Sequence, residues 1–164
     1  MLKNIAIFTD ASVDPKSQVG FGAYCLVVDV GCPPIDVANE VILTRFNNTS
    51  STRIELENLL HALNNSTFNT LNSTITIYTD CQNIIGLPDR REHLEANNYY
   101  SRNKIRVKNF ELYQQFYTAM DKLNFVMVKV KGHKTYNDKS NIDKIFSVVD
   151  KASRKALRQA REVL

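Results

Sequence analysis

Short apolar runs alternate along this chain with longer segments in which apolar residues recur at helical spacing. Five of the runs have the character of strands, because they are rich in β-branched and aromatic residues and end at turn-forming residues. They cover residues 2–10, 20–30, 37–46, 74–79 and 125–130. Short connections join the first three runs, which predicts an antiparallel meander.

The segments with helical spacing predict three main helices, one beginning near Arg53 and two others over residues 110–123 and 142–157. The fourth strand follows the first of these helices, so a crossover would set it parallel to the first strand. A short helix beginning at Gln82 would end at Gly86-Leu87-Pro88. The pattern predicts an α/β fold with a five-stranded mixed sheet, three antiparallel strands and then two parallel ones, flanked by helices.

A polar and basic segment over residues 89–108 lacks a helical period, which predicts a handle or loop that projects from the core. It contains Arg90, Arg91, Arg102, Lys104, Arg106 and Lys108. We find no internal repeat and no sign of a second domain. Residues 1–164 are therefore expected to form a single domain, with the basic handle at about 88–108.

The composition excludes several classes of protein. A net charge of +4 permits binding to a polyanion without requiring it, and a solvated basic surface is the alternative explanation. The three cysteines are odd in number and have no Cys-x-x-Cys spacing, which favours reduced thiols in a cytoplasmic protein over a disulfide framework or a zinc site. The strand signal begins at Leu2, which leaves no room for a leader, and no apolar run reaches membrane-spanning length. We expect a cytoplasmic monomer without a membrane partner.

Acidic residues follow two of the predicted strands and lie in the first helix. The strands end in Thr9-Asp10 and Thr79-Asp80, and the helix carries Glu55. A carboxylate at the end of a buried strand is costly unless it is paired, hydrogen-bonded or bound to a metal. Each aspartate could instead cap a turn, and Glu55 could close a capping box with Thr52. Together the three acids predict a divalent-cation site.

Short motifs from Ile5 to about Leu157 resemble those of type 1 ribonuclease H. The first resembles the family's Thr-Asp-Gly-Ser, with Ala11 at the usual glycine; the others resemble Arg-x-Glu-Leu, Thr-Asp-Ser-Gln, Val-Lys-Asn-x-Asp-Leu-Trp and Val-Lys-Gly-His. In this chain they read Thr9-Asp10-Ala11-Ser12, Arg53-Ile54-Glu55-Leu56, Thr79-Asp80-Cys81-Gln82, Val107-Lys108-Asn109-Phe110-Glu111-Leu112-Tyr113 and Val130-Lys131-Gly132-His133.

This resemblance implies a metal-dependent endonuclease that hydrolyses the RNA strand of RNA/DNA hybrids and leaves 5′-phosphate and 3′-hydroxyl ends. It implies two Mg²⁺ ions per site, with Mn²⁺ as an alternative. Asp10 would bridge both ions, and Glu55, Asp80 and an acid of the last helix would complete their shells. His133, beyond the last strand, would move a proton or help the product to leave.

Two residues of the last helix compete for the fourth carboxylate. Asp143 lies ten residues beyond His133, a spacing familiar in the family, whereas Asp150 lies in Val149-Asp150-Lys151-Ala152-Ser153-Arg154, which resembles the family's Cys-Asp-x-Leu-Ala-Arg. On one helix the two acids would be about 10 Å apart, so both cannot ligate the same ion. We expect Asp150 to be the ligand.

The resemblance also implies contacts with the nucleic acid. The expected substrate-binding residues are Ser12, Ser51, Thr52, Gln82, Arg102, Lys104 and Arg106. Ser51 and Thr52 stand where the family often has two asparagines, and the chain has no tryptophan, whereas the family's handle is often rich in it. Two other functions stay open: a related nuclease with another nucleic-acid substrate, and a catalytically inactive binding module. The complete set of acids argues against the inactive module.

Overall fold

The computed structural model describes residues 3–65, 73–131 and 134–163. In this part of the chain five strands form one mixed sheet in the order β3-β2-β1-β4-β5. The strands are β1 Lys3–Asp14, β2 Val19–Val27, β3 Ile42–Phe46, β4 Ser73–Thr79 and β5 Phe125–Lys129. The pairs β1–β2 and β2–β3 are antiparallel, and the pairs β1–β4 and β4–β5 are parallel. The predicted mixed sheet is confirmed.

Helices cover both faces of the sheet. They are α1 Pro34–Ala38, α2 Ser51–Asn65, α3 Gln82–Ile85, α4 Leu87–Ala96, α5 Phe110–Lys122 and α6 Asn141–Glu162, with a 3-10 turn over Tyr136–Asp138. Because successive side chains of a strand point to opposite faces, Ile7 belongs to the core cluster that includes residues of α2 to α5, and its neighbour Phe8 to the cluster that includes residues of α1 and α6. Among the described helices, none has both the length and the apolar character that crossing a bilayer requires.

The prediction of a strand over residues 37–46 is wrong in its first part. Residues Pro34–Ala38 form α1, and β3 begins only at Ile42. Proline is well tolerated in the first turn of a helix, where its missing N–H would have no partner. In so short a helix only Val37 is buried, so no apolar period is long enough to be recognised.

The prediction of an aperiodic segment over residues 89–108 is also wrong in its first part, because α4 extends to Ala96. Its two buried residues, Leu87 and Leu94, lie seven positions apart, which gives only a weak helical pattern. Tyr99, just after α4, is also buried, and its carbonyl accepts a hydrogen bond from the N–H of Val107 at 2.7 Å. The later residues therefore fold back onto the end of α4.

The first strand does not stop at Asp10. Its pairing with β4 ends at Phe8 and Tyr78, whereas its pairing with β2 continues to Asp14. Beyond Phe8, β1 therefore diverges from β4, and Asp10 lies beside the end of β4, which Asp80 follows. This divergence opens the space in which the predicted carboxylates meet.

Candidate metal centre

Three acids from different elements converge at this opening. Asp10 comes from β1, Glu55 from the start of α2 and Asp80 from the residue after β4. One carboxylate oxygen of each lies within 4.8 Å of the others. Asp10 is buried, Glu55 is half-buried and Asp80 is exposed. The arrangement has an anchored inner side and a side open to solvent, as a site that binds both a cation and a substrate requires.

A buried amide fixes the two inner acids relative to each other. The side-chain N–H₂ of Asn58, about one turn after Glu55, donates to the backbone oxygens of Asp10 at 3.2 Å and of Ala23 at 2.9 Å. Gly22 makes room for this amide, because a Cβ there would lie 2.3 Å from the side-chain oxygen of Asn58. Helix α2 is thereby attached to β1 at the position that carries Asp10.

The electrostatics of the cluster favour a bound cation. Burial, followed by the nearby charge of Glu55, raises the pKa of Asp10 to about 10. Burial, followed by the charge of Asp80, raises the pKa of Glu55 to about 8, although the backbone N–H of Ala11 acts in the opposite direction. The pKa of Asp80 is also raised, by partial desolvation of its carboxyl group and by the charge of Asp150. Carboxylates in such mutual repulsion are stabilised by a cation.

A buried carboxylate oxygen without a hydrogen-bond partner shows whether a metal ion fits this site. Oε2 of Glu55 is buried and has no hydrogen-bond partner among the described residues. Such an atom is costly unless something else satisfies it. Carboxylate oxygens are the ligands that Mg²⁺ and Mn²⁺ prefer. The residues present therefore fit a hard divalent cation.

Asp150 borders this cluster from α6. The neighbouring carboxyl group of Asp150 contributes to the raised pKa of Asp10, after burial and the charge of Glu55. Oδ1 of Asp150 also accepts from Nε of Arg154 at 2.9 Å. Ser153, which is fully buried, lies 3.4 Å from Oδ2 of Asp10 and 3.0 Å from the hydroxyl oxygen of Ser12. These contacts attach α6 to β1 beside Asp10.

Asp143 has a different environment. Its Oδ2 accepts from the backbone N–H of Ser140 at 3.0 Å, and the Ser140 hydroxyl accepts from the N–H of Asp143 at 3.2 Å, which completes a capping box. The ammonium group of Lys134 lies 3.0 Å from the same oxygen. Although burial acts against it, these hydrogen bonds hold the pKa of Asp143 below its ordinary value. The carboxylate of Asp143 therefore stabilises the N-terminus of α6.

The other predicted residues lie in different settings. Ser51 and Thr52 are exposed in the first turn of α2, where the hydroxyl of Ser50 accepts from the N–H of Arg53 at 3.3 Å. A capping box of Thr52 with Glu55 is therefore not the arrangement found, since Glu55 faces the other acids. Gln82 is exposed at the start of α3.

In the basic segment, Arg102 and Lys104 are exposed. The guanidinium of Arg106 lies 4.0 Å from the ring centre of Phe110, and Arg91 is paired with Asp121 at 2.7 Å. The charge of Arg91 is therefore compensated within the chain. His133 lies outside the described residues.

Two residues of the site were missed from the sequence, Asn58 and Ser153. Both are polar residues at buried positions of otherwise apolar helix faces, Asn58 among the leucines of α2 and Ser153 between Val149 and Leu157. That interruption of an apolar stripe is the signal that could have identified them.

Known proteins resemble this chain in sequence and in fold. The family model described as RNase H matches residues 2–153. A ribonuclease H of Caldicellulosiruptor saccharolyticus is 25% identical over 165 aligned positions, which cover 98% of this chain and 100% of that protein. A ribonuclease H of Clostridium botulinum is 25% identical over 147 positions, which cover 88% of this chain and 93% of that protein.

A crystal structure of LC9-RNase H1, described as a type 1 RNase H with the type 2 active-site motif, has a TM-score of 0.67 and 15% identity. The match covers 95% of this chain and 72% of that one. At this level of identity the likeness shows the fold.

Proposed function

Since the chain belongs to the ribonuclease H family, we propose that it hydrolyses the RNA strand of RNA/DNA hybrids, endonucleolytically and with divalent metal ions, leaving 5′-phosphate and 3′-hydroxyl ends. The observation that carries the proposal is the convergence of carboxylate oxygens from Asp10, Glu55 and Asp80 within 4.8 Å. Residues 1–164 would act as one catalytic domain. The cytoplasmic location and the monomeric state stay predictions.

The proposed centre holds two Mg²⁺ ions, or Mn²⁺, with Asp150 as the fourth carboxylate beside Asp10, Glu55 and Asp80. Bound ions would lower the pKa of an attacking water and stabilise the charge that develops on the leaving oxygen. The chain supplies the rigidity: Asn58 holds the Asp10 backbone, and Ser153 contacts its carboxylate. The exposed Asp80 leaves the outer side open to the scissile phosphate.

We further propose that His133 moves a proton or assists product release, and that exposed polar and basic residues contact the hybrid. Ser51, Thr52 and Gln82 lie at the starts of α2 and α3, close in sequence to Glu55 and Asp80. Gln82 accepts from Lys129 at 2.6 Å, a contact that the substrate would have to share or replace. The hydroxyl group of Ser12 lies 3.0 Å from that of Ser153, and we propose that it contacts the substrate as well. Arg102, Lys104 and Arg106 suit phosphates, which give affinity rather than sequence choice.

The substrate class is tested by comparing labelled RNA/DNA hybrid, duplex DNA and duplex RNA, each with Mg²⁺ or with EDTA. We expect cleavage of the RNA strand in the hybrid alone, and only with the metal. Cleavage of another duplex would favour a related nuclease, whereas binding of the hybrid without metal-dependent cleavage would favour an inactive binding module.

The two acids of α6 should respond differently to substitution. We expect Asp150→Asn to reduce cleavage strongly without loss of stability, because its carboxylate borders the metal centre. Asp143→Ala should instead cost about 1 kcal/mol through the lost cap, which lowers the Tm of a chain of this size by about 2–4 °C. Cleavage assays and thermal unfolding of both variants measure this contrast. A larger loss of turnover in Asp143→Ala, measured well below its Tm, would reverse the assignment.

A further inference from the structure

A cavity of about 290 Å³ opens beside the metal centre, on the side of Asp80 and Asp150. It lies between Val130 and Lys131, which follow β5, and the first turns of α6. Drug-sized ligands usually occupy pockets of about 300–1,000 Å³, so this one suits a small group. Its wall is largely polar and charged.

Basic side chains outnumber acidic ones around the cavity. Four cations line it, Lys131, Lys134, Lys139 and Arg154, against three acids, Asp80, Asp143 and Asp150. Asp143 is already paired with Lys134 at 3.0 Å. Asp150 is paired with Arg154 at 2.9 Å. Lys131 and Lys139 therefore face one remaining acid, Asp80, even when no cation is bound. The remaining charge of the cavity is positive.

The ammonium groups also have unused donors. Nζ of Lys139 donates to the neutral hydroxyl of Ser147 at 2.7 Å, and that hydroxyl donates to the backbone oxygen of Asp143 at 3.0 Å. An ammonium group has three N–H donors, so two remain on Lys139. Among the residues that the structure describes, neither Lys131 nor Lys139 has a carboxylate within ion-pair distance. Lys131 and Lys139 therefore offer the cavity charged donors that no carboxylate of the described residues engages.

The start of α6 builds this arrangement. The helix begins at Asn141, nine residues before Asp150, and the capping box of Ser140 with Asp143 fixes its first turn. Ser147, one turn further along the helix, holds Lys139 through its hydroxyl. Lysine is a compact point charge that binds phosphate oxygens without a fixed plane. The position of Lys139 is therefore set by the fold, beside the cluster in which the proposed reaction takes place.

We propose that this cavity is an anion site that receives a phosphate group of the RNA strand next to the position of cleavage. The proposal rests on the proposed function of the carboxylate centre. The phosphate has two possible sources, an internal phosphate of the uncut strand and the terminal 5′-phosphate of the product. Both present the same oxygen acceptors to Lys131 and Lys139.

A first experiment does not depend on nuclease activity. Thermal unfolding of the whole chain is measured in EDTA with inorganic phosphate or with chloride at matched ionic strength. Phosphate should raise the Tm of the unchanged chain but not that of Lys139→Gln. The control is Lys155→Gln, which should keep the rise because Lys155 is exposed on α6 and lies outside the cavity. Lys139→Arg, which keeps the charge, should restore the rise. No rise in the unchanged chain, or an equal rise in Lys139→Gln, would overturn the anion site.

A second experiment measures hybrid binding in EDTA by fluorescence anisotropy over a range of salt concentrations. The logarithm of the binding constant should fall linearly with the logarithm of the salt concentration. Loss of one phosphate contact in Lys139→Gln should make this slope shallower by about 0.9, whereas the slope should stay unchanged in Lys155→Gln. Equal slopes in the two variants would contradict the proposal. A phosphate-dependent Tm in a chain that does not cleave hybrid would keep the anion site and reject the nuclease function.

The two sources are separated by competition between short RNAs with a 5′-phosphate or a 5′-hydroxyl end. A preference for the phosphorylated RNA that disappears in Lys139→Gln assigns the site to the product terminus. If the two RNAs compete equally well, and both compete less well against Lys139→Gln, the site is assigned to an internal phosphate. Competition that Lys139→Gln leaves unchanged for both RNAs would count against the site.

Discussion

Replacing Asp10 with asparagine is expected to reduce cleavage of the RNA strand by at least about a thousandfold while the fold stays intact. Asn has nearly the same shape, and the substitution leaves the backbone contacts of residue 10 unchanged, but it removes the charge that divalent ions need. Asp10 lies at the centre of the cluster, close to Glu55, Asp80 and Asp150. Its loss should therefore weaken the binding of both proposed ions.

The same substitution should not destabilise the metal-free protein. Burial and the charge of Glu55 raise the pKa of Asp10 to about 10, so an ionised Asp10 is unfavourable when no cation is bound. We expect the Tm of Asp10→Asn in EDTA to equal or exceed that of the unchanged chain. Asp36→Asn, an exposed acid of α1, is the matched control and should leave cleavage and Tm unchanged. Full turnover in Asp10→Asn would contradict its proposed role.

The metal-free protein is expected to lose stability as the pH rises from about 5 to about 8, and Mg²⁺ should reverse this loss. The folded-state pKa values of Asp10 and Glu55, about 10 and about 8, exceed the ordinary values of 3.8 and 4.5. Between the ordinary and the raised values the folded state binds more protons than the unfolded state. Their contribution to stability is therefore complete below about pH 4 and falls as the pH rises towards the folded-state values.

Divalent cations bind the deprotonated carboxylates, so the stabilisation by Mg²⁺ should grow with pH. At roughly a hundredfold excess over the Kd it should raise the Tm by about 5–10 °C near pH 8 and much less near pH 5. The carboxyl groups with lowered pKa values, Asp14, Asp121 and Asp143, act below this window and do not mask it.

Thermal unfolding in EDTA and in Mg²⁺ across this range measures both effects. The double variant Asp10→Asn/Glu55→Gln is the control, and it should lose most of the pH slope and of the response to Mg²⁺. Metal-free stability that rises with pH in this window, or an undiminished response to Mg²⁺ in the double variant, would count against the cluster as a cation site.

The order of strands and the convergence of the acids could be predicted because each depends on local sequence. The runs that end at Asp10 and Asp80 are apolar enough to be recognised as strands, and a crossover through α2 makes them parallel neighbours. Parallel neighbours bring their following residues to the same edge of the sheet. Even the error about the end of β1 did not affect the site, since the pairing with β4 ends just before Asp10.

The remaining features depend on tertiary contacts that no local pattern reveals. Asp143 and Asp150 lie on one helix with similar sequence support, and only the capping box with Ser140 and the proximity of Asp150 to Asp10 separate them. Arg91 belongs to the basic segment of the sequence, but Asp121, thirty residues away, neutralises its charge. Such partners are distant in the chain, so the role of each charge becomes evident only in the fold.

The central claim is that Asp10, Glu55 and Asp80 together hold divalent ions. Anomalous diffraction from crystals of the protein soaked with Mn²⁺ tests it most directly. We expect the strongest anomalous peak to lie about 2.1 Å from a carboxylate oxygen of each of these acids, the distance typical of small divalent cations with oxygen ligands. Saturating Mn²⁺ that leaves this cluster without a peak, or a peak that contacts none of the three acids, would contradict the account.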